Sequence, residues 1–414
     1  DPGNAYWDVL GLNAPADQVG YLAGIESVAQ AFDRYQLGAD PASLRLIDAG
    51  DEALLSGAWL GVCEQAQAAC MHQMLAHASA VQAWLDAHAL PWQRLLDAMV
   101  RPRWTDWDVD AQRVAKRLED ASALVRAKAM IDGLQGQPAQ ALDLAQRSLW
   151  LCRRALAGTV AVPVKMAAQR CAARAWALAS ALVLEAADDV IASQDSTLMA
   201  MTLDFHPDEW SLRPLVRAQM RTALPQLFDH AQVREKLYAR SVWLRVLAKP
   251  FFLPHATMHR YVDDTLAQAA MLDRMPNAQL IGERAAQPAP DGWSWLSTGN
   301  PVGMWMLSVQ PQGDDLAQLR LELRALEGQR RLYALLLHCR REQTLSGPSD
   351  IAGMAPCAAL APEHLRNPFD GSAVQWDERH GVLSLPIPKG PGVVALGAQA
   401  LDNPQLRLPQ PQQP

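Results

Sequence analysis

Residues 111–158 read AQRVAKRLEDASALVRAKAMIDGLQGQPAQALDLAQRSLWLCRRALAG, and this stretch decides the fold class. From Ala111 to Leu134 the pattern is helical, and Gly133 followed by Gly136-Gln137-Pro138 breaks it. A second helix is predicted over Ala139–Leu156, with Pro138 at a first-turn position, where its missing N–H is no loss. A break from Gly158 to Pro163 leads to a third helix over Val164–Ala192. Helix, short break, helix is the layout of helical hairpins and bundles.

Outward from this core, helices are predicted over Asp17–Gln36, Gly50–Ala78, Ala80–Met99, Trp210–Ala223, Gln232–Leu247 and Thr257–Leu272. Pro250-Phe251-Phe252-Leu253-Pro254 is an apolar break before the last of these. Residues 277–299 are richer in Gly, Pro and Ser and read as a loop or domain boundary. Asn300-Pro301 caps a short helix to about Val309. A long helix follows over Leu316–Glu342, where Leu316, Leu319, Leu323, Leu326, Tyr333 and Leu337 form one apolar face. Ala373–Asp377 and Gly381–Leu385 read as two short strands of a hairpin. The expected fold is mainly α: irregular helical hairpins or a bundle with a small C-terminal α+β element containing a β-hairpin. The expected organisation is a helical domain over 1–276, the boundary at 277–299, a long helix with a hairpin module over 300–407, and a disordered tail over 408–414.

The chain has 414 residues, half of them hydrophobic and 20% charged, so a large core is available without metals or disulfides. A net charge of -7 argues against a nucleic-acid partner, which needs a basic face to neutralise phosphates. No apolar run reaches the ~18 residues of a membrane-spanning helix; the most apolar, Ala175–Leu184, is far shorter. The opening Asp1-Pro2-Gly3-Asn4 looks like the start of a trimmed or mature chain.

Six cysteines are present: Cys63, Cys70, Cys152, Cys171, Cys339 and Cys357. There is no Cys-x-x-Cys, which argues against zinc ribbons and thioredoxin-like sites. The even count favours disulfides over buried free thiols and leaves their connectivity open.

Asn4-Ala5-Tyr6-Trp7-Asp8-Val9-Leu10-Gly11-Leu12 followed by Ala14-Pro15-Ala16 resembles the opening of an uncharacterised family of proteobacterial envelope proteins. The resemblance extends to Cys63-x6-Cys70, to Pro254-His255-Ala256-Thr257 in place of Pro-Asn-x-Thr, to Asn300-Pro301-Val302-Gly303, and to Asn367-Pro368-Phe369-Asp370-Gly371. It implies a periplasmic domain behind a single inner-membrane anchor that is absent from this chain, with a Cys63–Cys70 disulfide. Residues seven apart on one helix rise about 10.5 Å, whereas a disulfide needs Cα atoms within about 7 Å. The bridge is preferred, and the helix predicted over Gly50–Ala78 must then break. The C-terminal element also resembles the globular end of type II secretion major pseudopilins, without their N-terminal hydrophobic helix or an acidic calcium loop. Gly136-Gln137-Pro138-Ala139-Gln140-Ala141-Leu142 resembles part of a tetratricopeptide repeat, but the chain shows no clean period of about 34 residues.

Catalytic motifs are absent: no P-loop, no Gly-x-Ser-x-Gly elbow, no Ser-x-x-Lys and no His-Glu-x-x-His. His255 and His259 share a helix face that Asp263 continues, the one weak candidate for a metal site, which packing or capping explains better. His72 and His77 diverge by about 140° on a helix. Asp106-Trp107-Asp108-Val109-Asp110 alternates like a calcium loop, but Arg117 stands where the bidentate Glu belongs, so an acidic helix cap is expected. Asp188-Asp189 and Asp263-Asp264 read as solvated helix faces rather than acid/base pairs. Trp293, Trp295 and Trp305 are expected in core packing ahead of a ligand groove. Arg101/Arg103 and Arg330/Arg331/Arg340/Arg341 read as ion-paired surface.

These readings favour a non-enzymatic periplasmic scaffold or interaction protein that binds another envelope protein, without a cofactor. The alternatives are a hydrolase with a metal site around His255, His259 and Asp263, and a binder of lipid or another apolar ligand.

Overall fold

The computed structural model describes residues 3–14, 16–20, 22–26, 29, 68–106, 111–218, 220, 254–275, 314–342, 358–359, 362–377, 382–387 and 405–407. In chain order the helices are α1 (Ala5–Leu10), α2 (Ala68–Leu75), α3 (Ala78–Ala87), α4 (Ala89–Val100), α5 (Ala111–Leu134), α6 (Pro138–Gly158) and α7 (Val162–Glu185). They continue with α8 (Asp188–Ser193), α9 (Asp195–Ala200), α10 (Pro207–Trp210), α11 (Pro254–Arg274) and α12 (Asp314–Arg341). Strands β1 (Gln375–Asp377), β2 (Val382–Ser384) and β3 (Gln405–Arg407) form one small antiparallel sheet in the order β1-β2-β3. The fold is mainly α with a small C-terminal β element. Among the described residues, no helix is long and apolar enough to cross a membrane.

The chain groups into two compact units. The first comprises Asp1–Trp210, Glu322–Ile387 and Leu401–Pro414, the second Ser211–Leu321 and Pro388–Ala400. The expected boundary at 277–299, the helices expected over 232–247 and 300–309, and the tail 408–414 lie outside the described residues, as do Trp293, Trp295 and Trp305.

The first unit is built on α5, α6 and α7, which pack against one another. Their shared interior is apolar: Leu118, Met130, Leu142, Leu149, Val164 and Trp176 are each at most 1% exposed. Burial of one such side chain stabilises by about 1.5–3 kcal/mol. The predicted limits of α5 hold because Gly136 takes φ 84°, and Gln137 N–H then reaches back to the Asp132 carbonyl. That left-handed residue ends the helix and lets Pro138 start the next. Cys152 of α6 and Cys171 of α7 are joined by a disulfide, with Cα atoms 5.8 Å apart. Cys70 and Cys339 are also disulfide-bonded, while Cys63 and Cys357 lie outside the described residues.

Three predicted helices are interrupted, and each break has a cause. The helix expected over Ala80–Met99 is two helices meeting at His88. Pro91 has no N–H for the Ala87 carbonyl, and its ring would collide with it. Pro214 stands in the same relation to Trp210, so the helix expected over Trp210–Ala223 stops at Trp210 and resumes at residue 213. The helix expected over Val164–Ala192 ends at Glu185, and Ala186 and Ala187 are extended. Alanine favours helix, so tertiary contact overrides propensity here: Arg340 donates to the Ala186 carbonyl and to Asp188. In the region expected as one helix over Gly50–Ala78, α2 starts at Ala68 and ends at Leu75; residues 50–67 are outside the described residues.

Leu316, Leu319, Leu323, Leu326, Tyr333 and Leu337 of α12 are all buried, as their spacing predicted. β1 pairs with β2 through Gln375↔Ser384, Trp376↔Leu383 and Asp377↔Val382, and β3 adds the strand that the expected hairpin lacked. Asn367 holds the preceding turn. It accepts from the Phe369 N–H through Oδ1 at 3.0 Å and donates to the Pro386 carbonyl at 2.7 Å, while Gly371 supplies a φ of 72°.

Within the second unit, Asp273 of α11 accepts from the Leu212 N–H at 3.0 Å and from Ser211 Oγ at 3.1 Å. It thereby caps the helical residues 213–218. Arg320 donates to the Asp273 carbonyl at 2.9 Å.

Candidate functional site

Charge buried in a helical core marks either a structural clamp or a site. Two such centres stand out in the first unit. The first fixes α1. Asn4 accepts from the N–H of Tyr6 at 3.2 Å and of Thr105 at 2.9 Å, and donates to the Thr105 carbonyl at 2.8 Å. Arg101 Nε donates to Asp8 at 2.8 Å. Arg94 donates to the carbonyls of Gly11, Leu12, Ala14 and Gln18, and Arg117 to that of Leu10. Arg117 thus occupies an acceptor that the helix end leaves open, and Arg94 those of the chain that follows it. Tyr6 stands edge-on to Trp7 and Trp104. Burial pushes the Asp8 carboxyl above its ordinary range despite the Arg101 bond.

Beside this clasp, buried Asp106 accepts from Thr159 Oγ1 and from the Val160 N–H at 2.8 Å. Its carboxyl is likewise raised by burial, against the bonds from Thr159, Val160 and Trp104. Of the acidic motif, Asp106 thus holds the turn before α7. Asp108 and Asp110 lie outside the described residues. Gly158 is required here, because a Cβ would lie 1.6 Å from the Trp104 carbonyl oxygen.

The second centre surrounds residues 198–210, and it is the candidate site. Five backbone carbonyls of this segment accept from buried or half-buried side chains on three different helices. Tyr333 of α12 donates to Leu198 at 3.2 Å, and Trp176 of α7 to Met201 at 2.9 Å. Arg330 of α12 donates to Thr202. Arg153 of α6 donates to Leu203 at 2.9 Å and to Asp204 at 2.6 Å.

Both arginines are themselves held. Arg153 makes a two-pronged pair with Glu209, 2.8 and 2.9 Å, and lies over the rings of Trp150 and Phe205. Glu209 also accepts from the His206 N–H at 2.6 Å. Arg330 pairs in the same way with Glu327, 2.7 and 2.6 Å, and Arg331 adds a third bond at 2.7 Å. Burial pushes the Glu327 carboxyl up, but the two guanidiniums more than offset this and hold it below the ordinary range. Arg330 is correspondingly raised: burial opposes its charge, and Glu327 and Asp204 outweigh that cost. Burial alone raises the Tyr333 phenol.

The segment is fixed from beneath and open above. Leu203 is 54% exposed and the Asp204 side chain 89%. Met199, His206, Pro207 and Asp208 are exposed as well. Chemically, the two buried carboxylates are saturated by guanidiniums, so this arrangement orients a loop rather than moving a proton.

Of the residues that stand out in the sequence, Arg330 and Arg331 belong to this site and the others lie elsewhere. His255, His259 and Asp263 all lie exposed along one face of α11. They do not make a metal site: three residues at four-residue steps span about 12 Å of helix axis, too far for one ion. Among the described residues, no group of three His, Cys, Asp or Glu side chains is placed to hold a metal. His72 faces Glu185 at 3.9 Å, and Asp188 and Asp264 are ion-paired to Arg340 and Arg260. Of the arginines expected at the surface, Arg330 and Arg340 are buried, at 6% and 5% exposure.

The clamp went unseen in the sequence, although one signal was there. Arg153 occupies a position on α6 between Leu149 and Leu156, inside the apolar stripe, where a charge demands a partner.

Comparison with family models, with curated proteins and with solved structures finds no match to this chain.

Proposed function

We propose that this protein is a non-enzymatic scaffold of the bacterial cell envelope, periplasmic and anchored to the inner membrane, that binds another envelope protein. The observation that carries this reading is the clamp on residues 198–204. Five carbonyls are committed to side chains below, while Leu203 and Asp204 are held out to solvent. A loop ordered in advance loses little entropy on binding, which is the condition for a recognition surface. An exposed apolar residue on a rigid support is the kind of anchor that interfaces use. The compartment is supported by the Cys152–Cys171 disulfide and by the disulfide-bonded state of Cys70 and Cys339, since such bonds persist in oxidising compartments. The opening from Asn4 to Leu12 supports it through its resemblance to envelope proteins.

The test is cross-linked capture from native envelope with the membrane-anchored protein as bait. One dominant partner, lost with Leu203→Asp, is the expected result. Absence of any partner above background overturns the function, and undiminished capture by Leu203→Asp moves the contact away from this loop.

A further inference from the structure

We propose that Arg324, stacked on Trp210, is the acceptor for an acidic side chain of the partner protein. The proposal rests on the scaffold function and deepens it. Arg324 belongs to α12, one turn before Glu327, and its guanidinium carbon lies 4.9 Å from the Trp210 ring centroid. Its Nε is buried without a hydrogen-bond partner. Among the described residues, nothing accepts a hydrogen bond from this guanidinium and no carboxylate pairs with it.

A buried Nε that makes no hydrogen bond is shared by Arg126, Arg154 and Arg340. Arg94, Arg153, Arg154, Arg330 and Arg340, however, each donate through another guanidinium nitrogen to a carbonyl or carboxylate. Glu327 accepts three bonds from Arg330 and Arg331 and is turned to them rather than to Arg324. The local balance shows the same surplus. Arg324, Arg330 and Arg331 face Glu327 and Asp204, which leaves one guanidinium without a counter-charge. Burial lowers the Arg324 pKa, Glu327 opposes this, and Arg331 adds to it. The site thus holds a partly desolvated cation whose direct contact is an aromatic face.

The chemistry of the missing group follows from geometry. Stacking occupies one face of the guanidinium and leaves its in-plane donors, the fork that a carboxylate accepts with two parallel bonds. One surplus positive charge suits one carboxylate rather than a phosphate dianion. A chain of net charge -7 also repels polyanions such as nucleic acid or an anionic lipid surface. An aspartate or glutamate of a protein partner fits all three conditions.

The experiment titrates a fluorescent, end-blocked glycine peptide carrying a single central glutamate against the whole chain, with the peptide carrying glutamine at that position as reference. Binding of the acidic peptide, weakened about 10-fold by Arg324→Gln and partly kept by Arg324→Lys, is expected. Arg217→Gln, at an exposed arginine of the second unit, leaves it unchanged. Equal binding of both peptides, or equal affinity of wild type and Arg324→Gln, overturns the proposal. If Arg324→Gln fails to fold, Arg324→Lys carries the test, because it keeps the charge and loses the fork. Capture of the envelope partner then separates the two claims. Equal capture by wild type and Arg324→Gln leaves the scaffold standing and overturns the acceptor site. No capture by wild type overturns the scaffold, while the peptide titration still decides on Arg324.

Discussion

The clasp on α1 and the clamp on residues 198–210 use the same chemistry to opposite ends. In both, arginines from neighbouring helices donate to backbone carbonyls that the segment cannot satisfy itself. At the clasp the segment disappears into the core: Tyr6, Val9, Leu10 and Leu12 are at most 1% exposed. At the clamp the backbone is held, the side chain of Leu203 is left out, and that of Asp204 reaches back to Arg330 while staying 89% exposed. The carboxylates record the difference. Asp8 and Asp106 are raised because burial outweighs the bonds each receives, whereas Glu327 is lowered because two guanidiniums outweigh burial. A clasp that must only fold tolerates carboxyls whose charge burial disfavours. A clamp that presents a loop uses fixed opposite charges.

The largest test of this contrast is Glu327→Gln. It keeps the shape and removes the buried counter-charge from Arg330, which is 6% exposed and keeps only the exposed Asp204 as a carboxylate partner. Loss of one partner of a buried pair costs about 3–5 kcal/mol. Denaturant unfolding should show that loss, and hydrogen exchange should rise first at residues 198–206. A loss below about 1 kcal/mol would mean that the pair behaves as a surface pair and that the clamp is not what orders the loop.

The double substitution Cys152→Ala/Cys171→Ala asks whether the two regions share one foundation. The bridge closes a separation of 19 residues, worth about 3 kcal/mol in the denatured chain. It joins α6, which carries Arg153, to α7, which begins at the turn held by Asp106. Exchange should therefore rise at both regions alike. A rise confined to one of them breaks the idea of a common base.

What the sequence could and could not disclose follows from the range of each interaction. The ends of α5 were legible because Gly136-Gln137-Pro138 acts within a few residues, and the apolar face of α12 because its period is local. Pro91 and Pro214 are local signals as well, but the apolar period around each continues without interruption and masks the break. Arg153 and Glu209 are 56 residues apart, and Arg330 and Thr202 are 128 apart. No spacing rule connects such pairs. β3 is three residues whose register is set wholly by β2, so its own pattern is too short to announce a strand.

Asp8→Asn should be the mild counterpart of Glu327→Gln. Burial already works against the Asp8 charge, and an amide oxygen can still accept from Arg101, which keeps 29% of its side chain in solvent. The expected loss is about 1 kcal/mol or less in the same denaturant measurement. A loss as large as that at Glu327 would erase the distinction between the two regions.

Acidification gives the smallest effect on global stability, because the two regions respond with opposite sign. Glu327 titrates below its ordinary 4.5. Its contribution is complete above that value and is lost as pH falls through the lower, folded one, since the unfolded chain then binds the proton first. Asp8 and Asp106 titrate above 3.8. Their contribution is complete below that value and is lost as pH rises through the higher, folded one. Lowering pH from about 6 to about 3 should loosen residues 198–206 and tighten residues 4–10 and 159–161. Hydrogen exchange, corrected for the intrinsic rate at each pH, reads the two segments separately. Parallel loosening of both would mean that Asp8 and Asp106 are held as ion-paired carboxylates like Glu327, and the opposition between clasp and clamp would fall.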